Sequence, residues 1–153
     1  MVVLSTGSVS NPTAAAQPCP DVDVVFARGT GEPPGLGGTG QAFVDALRGL
    51  TAGKSLDVYA VNYPASGDFA NSLAAGADDA SAHVQSTVDN CPNTKVVLGG
   101  YSQGAAVVDT ISGTMPPPVA DHVAAVALFG NPRSTYAASL AGFPLPTISP
   151  LYA

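Results

Sequence analysis

Ser102 stands in Gly100-Tyr101-Ser102-Gln103-Gly104, a G-x-S-x-G pentapeptide. The chemistry this spacing suits is nucleophilic attack on a carbonyl carbon. A serine in a sharp turn between a strand and a helix has its hydroxyl lifted off the sheet, and the first free N–H groups of the helix lie ready for a developing oxyanion. Val96, Val97 and Leu98 form the short apolar run before the turn, and an alanine- and valine-rich stretch reaching Ile111 follows at once. Gly100 and Gly104 lack the Cβ that would clash where strand and helix backbones approach. A plain βα turn with tightly packed glycines is the competing reading, and strand and helix both in register weigh against it.

Few other residues could join this chemistry. His122 and Asp121 lie at the N-terminal end of the strand after the helix that follows Ser102 (the elbow helix), whereas Ser102 lies at the C-terminal edge of a parallel sheet. That separates them by roughly 20 Å at about 3.3 Å per residue. Asp109 is seven residues down the elbow helix, roughly 10 Å along its axis. His83 falls within a long helix. Structural roles are expected for all four. Gly35-Leu36-Gly37-Gly38-Thr39-Gly40 matches G-x-G-x-x-G before a helix, with Asp57 at about the distance of a ribose-binding acid. In a dinucleotide site, however, the glycines follow the first strand directly, and the acid ends the second. Here Arg28 to Pro34 intervene and Asp57 comes too early, so nucleotide binding is not expected.

The elements that must position Ser102 alternate between strand and helix. Val22 to Ala27 reads as a first strand, followed by a glycine- and proline-rich loop from Arg28 to Gly38. Thr39 is expected to cap a helix with Phe43, Ala46, Leu47 and Leu50 on its apolar face, closed by Gly53. Leu56 to Val61 is a second strand, and Tyr63-Pro64-Ala65 turns the chain. A long helix from Asp68 to Asp89 carries Leu73, Ala77, Ala80, Val84 and Val88 on one face. Cys91-Pro92-Asn93 ends it before the elbow strand. The elbow helix runs from Gln103 to Thr114, where Met115-Pro116-Pro117-Pro118 stops it. Val123 to Phe129 is almost wholly apolar, which predicts burial on both faces of a parallel sheet. A weak helical stretch follows Gly130-Asn131-Pro132. The pattern specifies an α/β fold, a three-layer α/β/α sandwich around a central parallel sheet.

Composition bounds the partners. The 153 residues suffice for one domain with a proper core, and 46% hydrophobic against 10% charged residues argues a globular chain. A net charge of −6, spread without blocks, makes nucleic acid and anionic membrane poor partners. The longest apolar run, Val123 to Phe129, is far short of the roughly 20 residues of a membrane helix. Two distant cysteines, Cys19 and Cys91, fit neither a zinc site nor a CxxC redox motif. Residues 1–18 lack a basic n-region and a full h-region, yet Ala14-Ala15-Ala16 is an A-x-A-like cleavage site. They read as a residual signal peptide or a disordered arm. An exported context would let the two cysteines pair.

Three landmarks in order carry a family resemblance: Asp23-Val24-Val25-Phe26-Ala27-Arg28-Gly29-Thr30-Gly31-Glu32, then Gly100 to Gly104, then Leu128-Phe129-Gly130-Asn131-Pro132. From Cys19 to Ala153 the chain resembles the cutinase family, its mycobacterial cutinase-like branch in particular. These are secreted serine esterases of the α/β-hydrolase type. The resemblance implies that Ser102 is the nucleophile and that the Gln103 backbone N–H and the Thr30 hydroxyl form the oxyanion hole. It pairs Cys19 with Cys91, and it implies no cofactor and no metal. The substrate would be a small-molecule or polymeric ester, and the complete protein a monomer. The family's catalytic aspartate and histidine correspond to positions beyond Ala153. The domain over residues 19–153 is thus expected to be incomplete, and its esterase activity absent or severely impaired. The alternative is a non-catalytic secreted binding protein that keeps the fold.

Overall fold

The computed structural model describes residues 18–133 of the chain. Strand β1 (Val22–Ala27) is buried along its whole length, as only a strand with neighbours on both edges and helices on both faces can be. It pairs in parallel with β2 (Leu56–Ala60) on one side and β3 (Lys95–Tyr101) on the other. Strand β4 (Val123–Phe129) adds in parallel to β3, giving, among the described residues, a four-stranded sheet of order β2-β1-β3-β4. Helix α1 (Gly37–Leu50) leads from β1 to β2, whereas α2 (Phe69–Asn90) and α3 (Gln103–Thr114) lead the other way, to β3 and β4.

Alternation along the strands sorts the two faces. Val22, Val24 and Val97 pack under α1 with Val44, Phe43 and Leu47. Val25, Ala27, Val96 and Leu98 face the other way, against Ala80 and Val84 of α2 and Ala105, Val107 and Val108 of α3. The three-layer α/β/α sandwich read from the sequence is the observed fold. Because the connections leave β1 and β3 in opposite directions, the C-terminal ends of these two strands form a topological switch point, the usual place for a site in such sheets.

Several local readings shift. Thr39 does not cap α1. The helix starts at Gly37, with Leu36 as its N-cap, and the Glu32 carboxylate accepts the Gly38 N–H at 3.2 Å. Ala46 is exposed and Leu50 is 85% exposed, so the buried stripe runs instead through Gly40, Phe43, Val44 and Leu47. Val22 and Leu56 open their strands beneath Leu47, and the sheet offers Leu50 nothing further to cover. The fully buried row of α2 is Ser72, Gly76, Ala80 and Val84, with Leu73, Ala77 and Val88 half-buried beside it. The proline run after α3 does more than stop it. Pro117–Ala120 forms a one-turn helix, α4, since proline is well tolerated in a first turn. Strand β4 is not buried on both faces: Ala124 and Ala125 are exposed and only Leu128 is fully buried. It is an edge strand among the described residues, paired on the β3 side alone. Residues 1–17 and the helical stretch expected after Pro132 lie outside the described residues, apart from Pro132 and Arg133.

Cys19 and Cys91 form a disulfide across a sequence separation of 72. It ties the segment before β1 to the loop before β3, at the edge of the sheet opposite Ser102. The Thr94 hydroxyl donates to the Pro20 carbonyl at 2.6 Å beside it. No described helix is long and apolar enough to cross a membrane.

Candidate active site

Ser102 is the hinge between β3 and α3, with φ 54° and ψ −117°, a conformation that residues bearing a Cβ rarely adopt. Its N–H donates to the Phe129 carbonyl at 2.9 Å, fixing the elbow to the end of β4, and its own carbonyl accepts the Ala106 N–H at 3.2 Å. The flanking glycines are required by close approach, as their spacing suggested. A Cβ on Gly100 would lie 2.2 Å from the Gly104 carbonyl oxygen, and one on Gly104 would lie 1.9 Å from that of Ala27. Helix α3 therefore starts directly on the end of β1, and the elbow faces the loop that follows β1. Gln103, the first helical residue, has a backbone N–H with no acceptor inside the helix.

The loop after β1 is a closed ring with Thr30 exposed at its apex. Arg28, buried at its base, donates from Nε to the Glu32 carbonyl at 2.7 Å and from Nη2 to the Tyr63 carbonyl at 2.8 Å. Its guanidinium lies 5.2 Å from the centre of the Tyr63 ring. The Tyr63 hydroxyl donates back to the Arg28 carbonyl. The Glu32 carboxylate takes the Gly29 N–H at 2.7 Å, and Gly31 N–H donates to the Ala65 carbonyl at 2.8 Å. Burial pushes the Tyr63 phenol up to about 12; the Arg28 charge opposes this and the Glu32 charge adds to it. The Gln103 side chain, fully buried, joins the parts. Its Nε2 donates to Thr30 Oγ1 at 3.1 Å and to the Ser66 carbonyl at 2.8 Å, and its Oε1 accepts the Ser72 hydroxyl at 2.6 Å. The arrangement brings the Ser102 turn, the Gln103 backbone N–H and the Thr30 hydroxyl, held by the Gln103 side chain, to the C-terminal ends of β1 and β3.

The other sequence candidates are placed elsewhere. His83 Nε2 lies 2.8 Å from Asp23 Oδ2, and its ring stacks on Tyr59 at 3.7 Å between centroids. Asp23 is in register with Val96. The His122 carbonyl accepts the Val96 N–H, and the His122 ring nitrogens lie 3.0 Å from the Pro118 and Pro92 carbonyls. Both histidines thus sit level with Val96, six residues before Ser102, or about 20 Å along the strand. Asp109 is buried against Asn131 Nδ2 at 3.1 Å and Arg133 Nε at 3.7 Å. Gly37, Gly38 and Gly40 form the start of α1, where Glu32 already occupies the position a phosphate would take, and Asp57 is an exposed residue inside β2.

A serine elbow at the C-terminal end of a parallel strand, facing a braced hydroxyl-bearing loop, is joined by a direct sequence match: the sequence model of the cutinase family fits residues 18–153. The chain belongs to the cutinase family. The carboxylesterase Culp1 of Mycobacterium tuberculosis is 61% identical over 140 residues, covering 91% of this chain and 64% of that protein. The chain therefore spans less than two thirds of that relative. The phospholipase Culp4 of the same organism is 53% identical over 140 residues, covering 85% of this chain and 60% of that protein. Among solved structures, Trichoderma reesei cutinase in complex with a phosphonate inhibitor superposes with a TM-score of 0.70 at 35% identity, covering 86% of this chain and 58% of that one. The catalytic core domain of acetyl xylan esterase from Trichoderma reesei gives 0.68 at 29% identity, covering 76% and 66%.

Within this cutinase-family fold, four residues of the site carried no assigned role in the sequence. Arg28 and Glu32 belonged to a landmark but showed no function by spacing. Tyr63 was only a turn residue. Ser72 left a faint signal: it opens the buried i, i+4 row of α2, where a hydroxyl must find a partner.

Proposed function

We propose that this chain is the nucleophile-bearing part of a secreted carboxylic ester hydrolase, with Ser102 as nucleophile and the Gln103 N–H and Thr30 hydroxyl as oxyanion donors. The observation that carries this reading is the strained elbow at Ser102, whose next residue, Gln103, holds the Thr30 hydroxyl through its side-chain amide. Ser102 Oγ would bond to the ester carbonyl carbon while the carbonyl oxygen takes up charge between the two donors. Collapse breaks the ester C–O bond, releases the alcohol with the serine proton and leaves an acyl-enzyme that water hydrolyses. The relatives are a carboxylesterase and a phospholipase, and the structural neighbours a cutinase and an acetyl xylan esterase, which supports an ester as substrate. Export is supported by the Cys19–Cys91 disulfide, a bond that persists outside the reducing cytosol.

Proton transfer is the missing part. The sequence holds two histidines, both engaged about 20 Å from Ser102. That placement favours, as a second reading, a protein that binds without turnover. Losing the base of a triad costs on the order of 10⁴- to 10⁶-fold. The test measures hydrolysis of a short-chain nitrophenyl ester by this chain, by its Ser102→Ala variant, and by the chain extended with the C-terminal segment of the Culp1 carboxylesterase. The extended form is expected to hydrolyse the ester in a Ser102-dependent way, and the unextended chain to exceed Ser102→Ala only slightly. Strong Ser102-dependent turnover by the unextended chain would overturn the missing-base argument. An extended chain indifferent to Ser102→Ala would overturn the nucleophile assignment.

A further inference from the structure

The geometry points to Asp109, on the elbow helix α3, as a positioning residue that commits the chain leaving β4 to the α3 side of the sheet. This deepens the reading above and rests on the proton-transfer residues of the ester hydrolase lying further along that chain. In β4, Leu128 packs with the α2 and α3 side of the core, whereas Phe129 faces Phe26 and Phe43 on the α1 side. A strand continued past Phe129 would therefore send Asn131 to the α1 side as well. It goes the other way. Gly130 has a φ of 58°, a left-handed turn that glycine adopts without strain, and Asn131 reaches α3 instead. Its Nδ2 donates to Asp109 Oδ2 at 3.1 Å, and its Oδ1 accepts the Arg133 N–H at 3.1 Å. The Arg133 side chain follows, with Nε 3.7 Å from the same Asp109 oxygen and Nη1 donating to Thr110 Oγ1 at 2.7 Å.

Asp109 and Asn131 are each 5% exposed, so neither can replace its partner with bulk water while it stays in place. A buried carboxylate on a helix whose neighbours Val108 and Ile111 are core residues is costly to keep unless it is paired. What it supplies here is a fixed acceptor that both Asn131 and Arg133 face. The β3–β4 ladder already holds Phe129 opposite Tyr101, and the Ser102 N–H donates to the Phe129 carbonyl at 2.9 Å. Asp109 therefore acts only on what comes after Phe129. Two residues beyond the level of the elbow, the chain is clasped to the second turn of α3. The segment that must return a base to Ser102 thus sets out from a fixed point on the helix that Ser102 itself begins.

The experiment is a double-mutant cycle in the extended chain, with kcat and KM read separately. Asp109→Leu keeps the volume and removes the acceptor. It is expected to lower kcat by about 10- to 100-fold with KM little changed, as when a base is held slightly out of place. Asp109→Asn, which keeps an acceptor oxygen for Asn131, should retain most of the parent kcat. Asn131→Ala breaks the same bond from its other end and should match Asp109→Leu, and the two together should cost no more than either alone. Additive losses, or a parent-like kcat in Asp109→Leu and Asn131→Ala, would overturn the inference while leaving the serine reading intact. Hydrogen exchange in the unextended chain gives a readout free of turnover. The Arg133 amide should exchange faster in Asp109→Leu and stay protected in Asp109→Asn, with the Val25 and Leu98 amides of the central strands unchanged. Unchanged exchange at Arg133, or faster exchange throughout the sheet, would overturn it. An extended parent indifferent to Ser102→Ala would instead overturn the nucleophile assignment, and the exchange result would still decide whether Asp109 holds the segment.

Discussion

At the residue scale, the role proposed for Ser102 and the stability of the fold pull in opposite directions. Its φ of 54° with ψ −117° is a conformation natural to glycine, and holding a side chain there costs on the order of 1–3 kcal/mol. Ser102→Gly removes that cost against a smaller loss from backbone entropy. It is therefore expected to raise stability to urea by about 1 kcal/mol, whereas Ser102→Ala, which keeps the Cβ, should leave it near the parent value. Equal midpoints for the two variants would show that the elbow is unstrained. The neighbouring glycines behave oppositely. Gly104→Ala drives a methyl to 1.9 Å from the Ala27 carbonyl oxygen, a backbone atom that cannot rotate aside. A loss above about 3 kcal/mol is expected, visible as a collapse of soluble yield and of the melting transition. These backbone demands could be read from the sequence because G-x-S-x-G names them directly. The Gln103 side chain could not be read that way. Its partners Thr30, Ser66 and Ser72 come from two distant stretches, the loop after β1 and the entry to α2, and only the fold brings them to Gln103.

At the scale of elements, the two loops at the switch point act as one piece, and Tyr63 reports on their union. Its phenol is pushed up to about 12, chiefly by burial. The unfolded chain has its tyrosines near about 10. Below that pH neither state ionises and the Tyr63 contribution is fully present. As pH rises from 10 toward 12, the unfolded state releases a proton that the folded state keeps, so unfolding gains and stability falls. Tyr59 is shifted in the same direction, by burial first and then by Asp79. Tyr63→Phe is expected to be less stable than the parent at pH 8, having lost the bond to the Arg28 carbonyl, yet to lose less on going to pH 11. Parallel pH profiles for the two proteins would contradict this. The elements themselves were plain in the sequence: β1, α3 and β4 have the predicted bounds, since strong apolar runs and a glycine elbow punctuate them. The face of α1 was less plain, because an i, i+3, i+4 pattern does not say where the sheet beneath the helix ends. Leu50 fits the period and still points into solvent.

At the scale of the whole molecule, closure is uneven. One end of the sheet is bound by the disulfide, and in the chain-entropy account a loop of this length stabilises by about 4 kcal/mol. Reduction should lower the melting temperature by roughly ten degrees or more, and an unchanged melt after verified reduction would refute that share. The opposite flank is β4. Its partner on one side is β3, and among the described residues no strand lies on its other side. Its sequence, Val123-Ala124-Ala125-Val126-Ala127-Leu128-Phe129, has no charge and no proline, the two devices that commonly keep an edge from pairing with a second copy. The apolar composition that suggested two-sided burial therefore becomes a liability in this arrangement. The chain as given is expected to self-associate as its concentration rises, by strand addition at β4. Ala125 is exposed, so Ala125→Lys places a charge on the edge without disturbing the core. Light scattering after size exclusion should show the parent shifting to larger species and Ala125→Lys remaining monomeric. A parent that stays monomeric, with a sharp two-state melt, would mean that β4 is covered in solution and that the edge argument is wrong.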